Sequence, residues 1–172
     1  MKRLFVLRHA KASGPASAPT DFDRPLNPRG HRQAVDIGGI VRARHFDVDA
    51  IVASPALRVV ETISGVIVGA RLAVEPTYDP RAYNASPETL LEILREADDT
   101  VERLLIVGHN PGLQHLLLLI AEDDRDGLRG NVALRYPTAA LAELCLAVDH
   151  WREVGPHSGR IVSLVRARDV ED

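Results

Sequence analysis

The stretch Leu4-Phe5-Val6-Leu7-Arg8-His9-Ala10 decides the fold of this chain. Large apolar residues that end in charged ones are typical of a strand buried on both faces, which carries its last side chains to one edge of a sheet. The pattern returns where 50–53 leads to Arg58 and where 104–107 leads to His109. Open α/β folds place their ligands at the carboxyl ends of such strands. The sequence therefore predicts one site that contains Arg8, His9, Arg58 and His109.

Two arginines and two histidines beside helix N-termini predict a site for a phosphoryl group. Arginine binds phosphate oxygens with two parallel hydrogen bonds, so Arg8 and Arg58 are expected to hold the transferred group. A neutral imidazole can attack phosphorus, and His9 is the better placed nucleophile. His109 is expected to stay cationic and to stabilise the equatorial oxygens.

The length and composition predict a single domain over residues 1–172, with a frayed acidic tail at 169–172. The net charge of −3 gives no general attraction to nucleic acid or to an anionic membrane. No apolar run approaches the roughly 20 residues of a membrane helix. We therefore expect a cytoplasmic protein without nucleic-acid or membrane partners. The lone Cys145 stands in an apolar run and is expected to behave as a core residue.

The periodicity predicts an α/β fold of three layers, α/β/α, with a mixed and mostly parallel central sheet. Prolines mark the expected helix starts at Pro28, Pro55, Pro87 and Pro111. The strands are expected at 3–8, 50–53, 72–74, 103–107, 141–148 and 161–165, with the last two antiparallel. Residues 11–28 and 122–130 are expected to be exposed loops, and a loop as long as the first is typical of a functional segment.

Three motifs resemble the histidine phosphatase superfamily, whose fold is phosphoglycerate mutase-like: Arg8-His9-Ala10, Ser54-Pro55 with Arg58 and Glu61-Thr62, and Gly108-His109-Asn110. The stretches 7–12, 23–30 and 108–112 look like the SixA-type phosphohistidine phosphatases. The resemblance spans about residues 3–165. Ala10 stands where the wider superfamily usually has glycine, as it commonly does in SixA-type members.

The resemblance implies that His9 becomes phosphorylated while Arg8, Arg58 and His109 surround the phosphate, with no metal and no organic cofactor. It implies a phosphohistidine phosphatase whose partner is a phosphorylated protein with a phosphohistidine domain. One alternative is a phosphomonoesterase that acts on a small phosphorylated molecule. Another is a non-catalytic module that binds phosphate or a phosphoprotein. Such a module needs no nucleophile, so His9 favours the enzyme.

The carboxyl groups distinguish between the two enzymes, because cleavage of an alkyl phosphate needs a general acid. Superfamily members that cleave such esters usually have a glutamate after the third strand. In this chain Asp79 is interpreted as a turn residue and Glu88 as a first-turn helix residue. Asp21 and Asp23 lie in the 11–28 loop, which forms either a recognition surface or a solvated turn.

Several further side chains have plain structural interpretations. Glu61 is expected to pair with Arg58 across one helical turn. Lys11 either adds charge to the phosphate or to a protein substrate, or is simply solvated. The remaining histidines lack the spacing of metal ligands, and no metal is predicted: His31, His45, His115, His150 and His157.

Overall fold

The structure is a computed structural model that describes residues 1–123 and 125–166. Six strands form one sheet in the order β3-β2-β4-β1-β5-β6. The strands are β1 (Lys2–Arg8), β2 (Ala50–Ala53), β3 (Pro76–Tyr78), β4 (Arg103–Gly108), β5 (Leu141–Leu146) and β6 (Gly159–Val165). The helices are α1 (Pro28–Ala43), α2 (Leu57–Ala70), α3 (Pro87–Arg95), α4 (Gly112–Ile120) and α5 (Leu128–Leu134).

The sheet is mixed, as predicted. Strand β1 runs parallel to β4, which runs parallel to β2, and β2 runs parallel to β3. On its other side β1 pairs with β5 in the antiparallel sense, and β6 extends this antiparallel part. The two late strands are therefore antiparallel to each other, as the sequence indicated.

Both faces of the sheet are covered by helices, which confirms the three-layer arrangement. Along β1, Leu4 and Val6 point into the core beneath α3, α4 and α5, while Phe5 and Leu7 point into the core beneath α1 and α2. All four side chains are at most 1% exposed. Their alternation on two apolar faces explains why the run contains no polar residue.

The sheet has a switch point between β1 and β4. The chain leaves β1 for α1 on one face and leaves β4 for α4 on the opposite face. Two neighbouring parallel strands whose helices diverge in this way leave a crevice at their carboxyl ends. Arg8 and Gly108, the last residues of these strands, lie opposite each other there.

Two of the four predicted helix starts carry the expected cap. The Asn27 side chain accepts a hydrogen bond from the Gly30 amide before α1, and the Ser86 side chain accepts one from Thr89 before α3. Helix α2 begins two residues after Pro55, because Ala56 is still extended at ψ 139°. Helix α4 begins one residue after its proline.

Two predictions of secondary structure were wrong. Residues 72–74 form no strand, since a left-handed residue, Arg71, ends α2 and the following apolar side chains pack on that helix layer. Pairing with β2 begins only at Pro76, opposite Ile51. The 122–130 segment is not all loop, because α5 begins at Leu128 and buries Val132 completely.

Cys145 lies in β5 and is half-buried. Among the residues that the structure describes, no helix has both the length and the apolar character needed to span a membrane. The predicted frayed tail, 169–172, lies outside the described residues. The single-domain prediction stays a prediction.

Candidate active site

The switch point opens into a pocket of about 490 Å³, and it brings all four predicted site residues together. Arg8 ends β1, His9 follows it, Arg58 lies in the first turn of α2, and His109 follows β4. The ring centroids of the two histidines lie 5.3 Å apart. Seven further residues complete the wall: Lys11, Ala12, Asp21, Arg24, Asn84, Asn110 and Thr138.

His9 is held as a neutral imidazole of defined tautomer. Its Nδ1 lies 2.7 Å from the carbonyl oxygen of Ala10, which can only accept, so Nδ1 has the proton and Nε2 keeps its lone pair. Burial, opposed by the bond to Ala10 and assisted by the charge of Arg58 and Arg8, lowers the pKa of His9 to about 4. At neutral pH the side chain therefore has the form that a nucleophile needs.

A turn after α5 holds the end of β1. Arg8 Nη1 donates to the carbonyl oxygen of Tyr136 at 3.0 Å, and the Ala139 amide donates to the carbonyls of Arg8 and His9. Ala139 adopts the left-handed conformation at φ 58°, which is unusual for a residue with a side chain. The turn thus fixes both residues of the Arg-His pair.

Arg58 is 5% exposed, and both of its terminal nitrogens donate to Asp21. Its Nη1 donates to the backbone oxygen of Asp21 at 2.6 Å, and its Nη2 donates to the Asp21 carboxylate at 3.0 Å. Burial, followed by the nearby Arg58, lowers the pKa of Arg8. Two guanidinium groups that repel each other across one pocket favour an anion between them.

His109 is neutral in this structure, and the predicted cation that stabilises equatorial oxygens stays a prediction for the phosphate-bound site. Because Arg58 Nη2 can only donate, Nδ1 of His109 accepts at 3.2 Å, and Nε2 donates to Ser54 Oγ at 2.8 Å. Burial first, and the Arg58 charge second, lower the pKa of His109 to about 3. Sequence reasoning missed this effect, because neither burial nor the arginine contact is visible in the motif.

The 11–27 loop forms one wall of the pocket through Asp21. Its carboxylate accepts hydrogen bonds from Tyr83 at 2.7 Å, from Arg24 at 2.8 Å and from Arg58. The Tyr83 hydrogen bond first, and then Arg24, hold the pKa of this carboxyl group well below its usual range. Of the two interpretations of Asp21, a place in the recognition surface describes it better than a solvated turn.

Thr62 and Glu61 hold the same loop from α2. Thr62 Oγ1 accepts from the Ala10 amide at 3.0 Å and donates to the Arg58 carbonyl, so it joins two site segments. Glu61 accepts from the Leu26 amide at 2.6 Å. The expected pairing of Glu61 with Arg58 was therefore wrong: the glutamate fixes the loop, and Asp21 is the carboxylate on the arginine.

The other candidate acids lie away from the pocket. Asp79 binds Arg81 beside β3, Glu88 lies in the first turn of α3, and Asp23 binds Thr20. Within the described part of the chain, Asp21 is the one carboxyl group that lines the pocket. Sequence reasoning missed two supporting residues, Tyr83 and Tyr136, and the contact of Ser54 with His109, because each acts through a contact distant in sequence.

The described residues contain no group of three His, Cys, Asp or Glu side chains that could hold a metal ion. The metal independence expected from the sequence stays a prediction.

Comparison with known proteins shows the family. The model of the histidine phosphatase superfamily (branch 1) matches residues 4–85. An uncharacterized protein of Mycobacterium tuberculosis is 35% identical over 160 residues, which cover 91% of this chain and 96% of the relative.

Solved structures give the same result for the fold. The crystal structure of a protein assigned as the phosphohistidine phosphatase SixA from Agrobacterium tumefaciens is 29% identical, with a TM-score of 0.78, and the match covers 96% of this chain and 97% of that one. The protein histidine phosphatase SixA complexed with tungstate superposes with a TM-score of 0.79 at 17% identity, covering 97% and 98% of the two chains. The second match shows a shared fold.

Proposed function

The chain belongs to the histidine phosphatase superfamily, and we propose that it hydrolyses phosphohistidine on a partner protein through a phosphorylated His9. Members of this superfamily are phosphatases. The proposal concerns which phosphoryl group this one removes and which residues remove it. The nucleophile, the roles of Arg8, Arg58 and His109, and independence of metal all belong to the proposal.

In the first step the phosphoryl group moves from the partner to His9. Arg8 and Arg58 bind the equatorial oxygens, and the Nε2 lone pair of His9 attacks phosphorus in line. The bond between phosphorus and the partner's imidazole nitrogen breaks, and the electron pair leaves with that nitrogen. The leaving ring has a proton on its other nitrogen, so it departs as neutral imidazole. The Ala10 carbonyl keeps the Nδ1 proton on His9 and stabilises the positive charge that the ring gains.

In the second step water regenerates the enzyme. The water oxygen attacks phosphorus, the bond to Nε2 of His9 breaks, and the electron pair returns to the imidazole. Both protons of the water remain with the released inorganic phosphate. No oxidant, metal or external base enters this balance.

His109 assists by taking up a proton when the dianion enters. It is neutral in the empty pocket, and a nearby negative charge favours the charged form of an imidazole. Its Nδ1 accepts from Arg58, so protonation requires that arginine to turn away toward the phosphate oxygens. Binding of the phosphoryl group and protonation of His109 are thus coupled.

The observation that carries the proposal is that the described pocket wall has no protonated carboxyl group for the leaving group, while the Nε2 proton of His109 is directed to Ser54 Oγ. Asp21 is the one carboxyl group among the described residues of the wall, and its low pKa keeps it ionised. An alkoxide leaves poorly without a donor, which is typically worth about 10²–10⁴ in rate. A protonated imidazole needs no such help, so phosphohistidine matches this site.

The test compares leaving groups under one set of conditions. We expect kcat/KM for a phosphohistidine peptide to exceed that for glycerol phosphate by at least about 10², because only the ester needs an acid. Equal values would support the small-molecule phosphomonoesterase instead. Failure to turn over either compound would leave a binding module as the better description.

A mass measurement tests the intermediate separately. After a rapid quench at alkaline pH, which preserves phosphohistidine, one phosphoryl group should be found on His9. The His9→Ala variant should show none and should lose turnover. His115→Ala is the matched control, because that histidine is exposed on α4 and does not line the pocket. A phosphoryl group elsewhere would refute the assignment of the nucleophile.

We also propose that the protein is cytoplasmic, and cell fractionation tests this location.

A further inference from the structure

Two smaller cavities adjoin the phosphate pocket on the side of the turn after α5. One has a volume of about 190 Å³ and the other about 380 Å³. Lys11 and Thr138 line both of them and the phosphate pocket as well, so the three cavities lie side by side and share a wall. We call the two together the basic groove, after the cations that line it: Arg8, which it shares with the phosphate pocket, and Lys11, Arg29, Arg135 and Arg166.

The basic groove has a charge opposite to that of the whole protein. The chain has a net charge of −3, yet five cations line the groove and none of its described lining residues is acidic. Arg166 donates to the carbonyls of Asn131 and Arg135, which fixes it at the rim. A local excess of positive charge on an acidic protein is an electrostatic footprint for an anionic ligand.

The backbone beneath Lys11 is rigid. Its amide donates to the Gln33 side chain at 3.2 Å, and its carbonyl accepts from the Asn27 amide at 3.0 Å. Any Cβ at Gly30 would collide with that carbonyl oxygen, so glycine is needed there for the close approach. The lysine side chain is exposed while its Cα is held next to His9 and Ala10.

Arg135 stands at the other side of the basic groove and is equally well placed. It immediately precedes Tyr136, whose carbonyl holds Arg8 in the phosphate pocket. Its amide donates to the carbonyl oxygen of Asn131 in α5, and its side chain is exposed. The position of Arg135 is thus coupled to that of the arginine proposed to hold the phosphate.

An apolar side chain beside these cations indicates a protein as the occupant. Leu134 lines the larger of the two cavities and is 86% exposed at the end of α5, two residues after the buried Val132. A free small anion gains nothing from an exposed leucine, whereas a protein surface buries it. Charged groups around an apolar contact are the usual composition of a protein interface.

We propose that the basic groove binds carboxylate side chains that flank the phosphohistidine on the partner protein. This rests on the proposed function and specifies its substrate class: an acidic surface around the phosphorylated histidine. The Asp and Glu residues of the partner pair with Lys11 and Arg135 while the phosphoryl group enters between Arg8 and Arg58. The groove therefore selects among phosphohistidine proteins by the charge of their surroundings.

The test uses two synthetic peptides with a central phosphohistidine, one flanked by four glutamates and the other by four glutamines. For the unaltered chain we expect kcat/KM to be roughly tenfold higher for the glutamate peptide, through several exposed charge pairs. About 0.5 M salt should remove most of this preference, because it screens exposed charges.

The variants locate the effect. The double variant Lys11→Glu/Arg135→Glu should abolish or reverse the preference, and the ratio between the peptides cancels any change in basal rate. The control is Arg71→Glu/Arg152→Glu, which changes the net charge equally. Those arginines are exposed at the end of α2 and before β6, and neither lines the phosphate pocket or the groove. The control should keep the preference.

Three results would overturn the proposal. Equal kcat/KM for the two peptides, both in the unaltered chain and after the substitutions of the acidic end named below, would refute the groove while leaving the proposed function intact. Failure to dephosphorylate either peptide, with no phosphoryl group on His9, would refute both. A preference that appears only in the full chain with Asp169→Asn, Glu171→Gln and Asp172→Asn would make the chain's own acidic end the occupant.

Discussion

Arg8 Nη1 lies 3.0 Å from the carbonyl oxygen of Tyr136, and the same tyrosine donates its hydroxyl to the carbonyl of Val6 at 2.6 Å. Tyr136 therefore contacts β1 twice, once in its middle and once at its end. The phenol oxygen also accepts from the Ala142 amide in β5. One completely buried side chain thus ties the arginine of the phosphate pocket to the centre of the sheet.

Tyr136→Phe should destabilise the protein by about 1–3 kcal/mol, because the Ala142 amide and the Val6 carbonyl lose a buried partner. The free energy of unfolding, measured by urea denaturation, checks the value. Tyr78→Phe is the matched control, since Tyr78 is 38% exposed at the edge strand. An unchanged midpoint for Tyr136→Phe would show that the hydroxyl contributes nothing to the sheet.

Replacement of Arg8 or Arg58 by alanine should each cost about 2–4 kcal/mol of transition-state stabilisation, the usual effect of losing one donor to a developing charge. Lysine should rescue only part of this loss, because a point charge cannot bind two oxygens in parallel. Steady-state kcat/KM with a phosphohistidine peptide measures both. Full activity of either lysine variant would contradict bidentate binding.

The pH dependence follows from the two depressed histidine pKa values. His9 should titrate near pH 4 and His109 near pH 3, against about 6.5 in an unfolded chain. Below pH 6.5 the unfolded state binds protons that the folded state does not, so stability falls with decreasing pH until the folded pKa values are reached. Histidine NMR shifts report the two pKa values directly.

A stability curve against pH checks the same assignment independently. His9→Ala and His109→Ala should each flatten the loss of unfolding free energy between pH 6.5 and about 4, because each removes one proton uptake. His115→Ala, at an exposed position on α4 outside the pocket, is the matched control for the loss of a histidine. Titration of His9 near 6.5 in the folded protein would refute a desolvated nucleophile.

Chelators should leave turnover unchanged, since the two arginines already supply positive charge for the phosphoryl group. The assay is kcat/KM before and after dialysis against a strong chelator. Loss of activity that zinc or magnesium restores would overturn the proposed chemistry and show that the enzyme requires a metal.

The positions of the site residues could be predicted from motifs at the ends of strands, because a sheet brings the ends of its parallel strands together. Residues 4–10 predicted both the buried strand and the two side chains at its end. The same pattern, an apolar run that leads to an arginine or a histidine, located Arg58 and His109. Strand pairing then placed all of them in one crevice. Local chemistry and topology agree here, so the positions could be predicted.

The protonation of the site could not be predicted in the same way. His109 was expected to be a cation because its motif suggests a phosphate ligand, but its charge depends on burial and on the Arg58 contact across 51 positions. Tyr136 was missed for a related reason: it supports Arg8 through a backbone carbonyl, which any residue type supplies. Long-range contacts of this kind leave no local pattern.

Because the Asp21 carboxylate contacts Arg58, the affinity of the pocket for an entering anion depends on how much negative charge that anion has. The arginine already has an anionic neighbour, so an entering group must replace one negative charge before it gains anything. A monovalent anion such as chloride only replaces the charge of Asp21 beside Arg58, so its net electrostatic gain is small. A dianionic phosphoryl group adds one further negative charge, so its gain is larger. The Asp21 carboxylate thereby competes with an entering anion for Arg58, and weakly charged anions bind poorly. We therefore expect the pocket to stay empty in ordinary salt and to fill when a phosphoryl dianion is present.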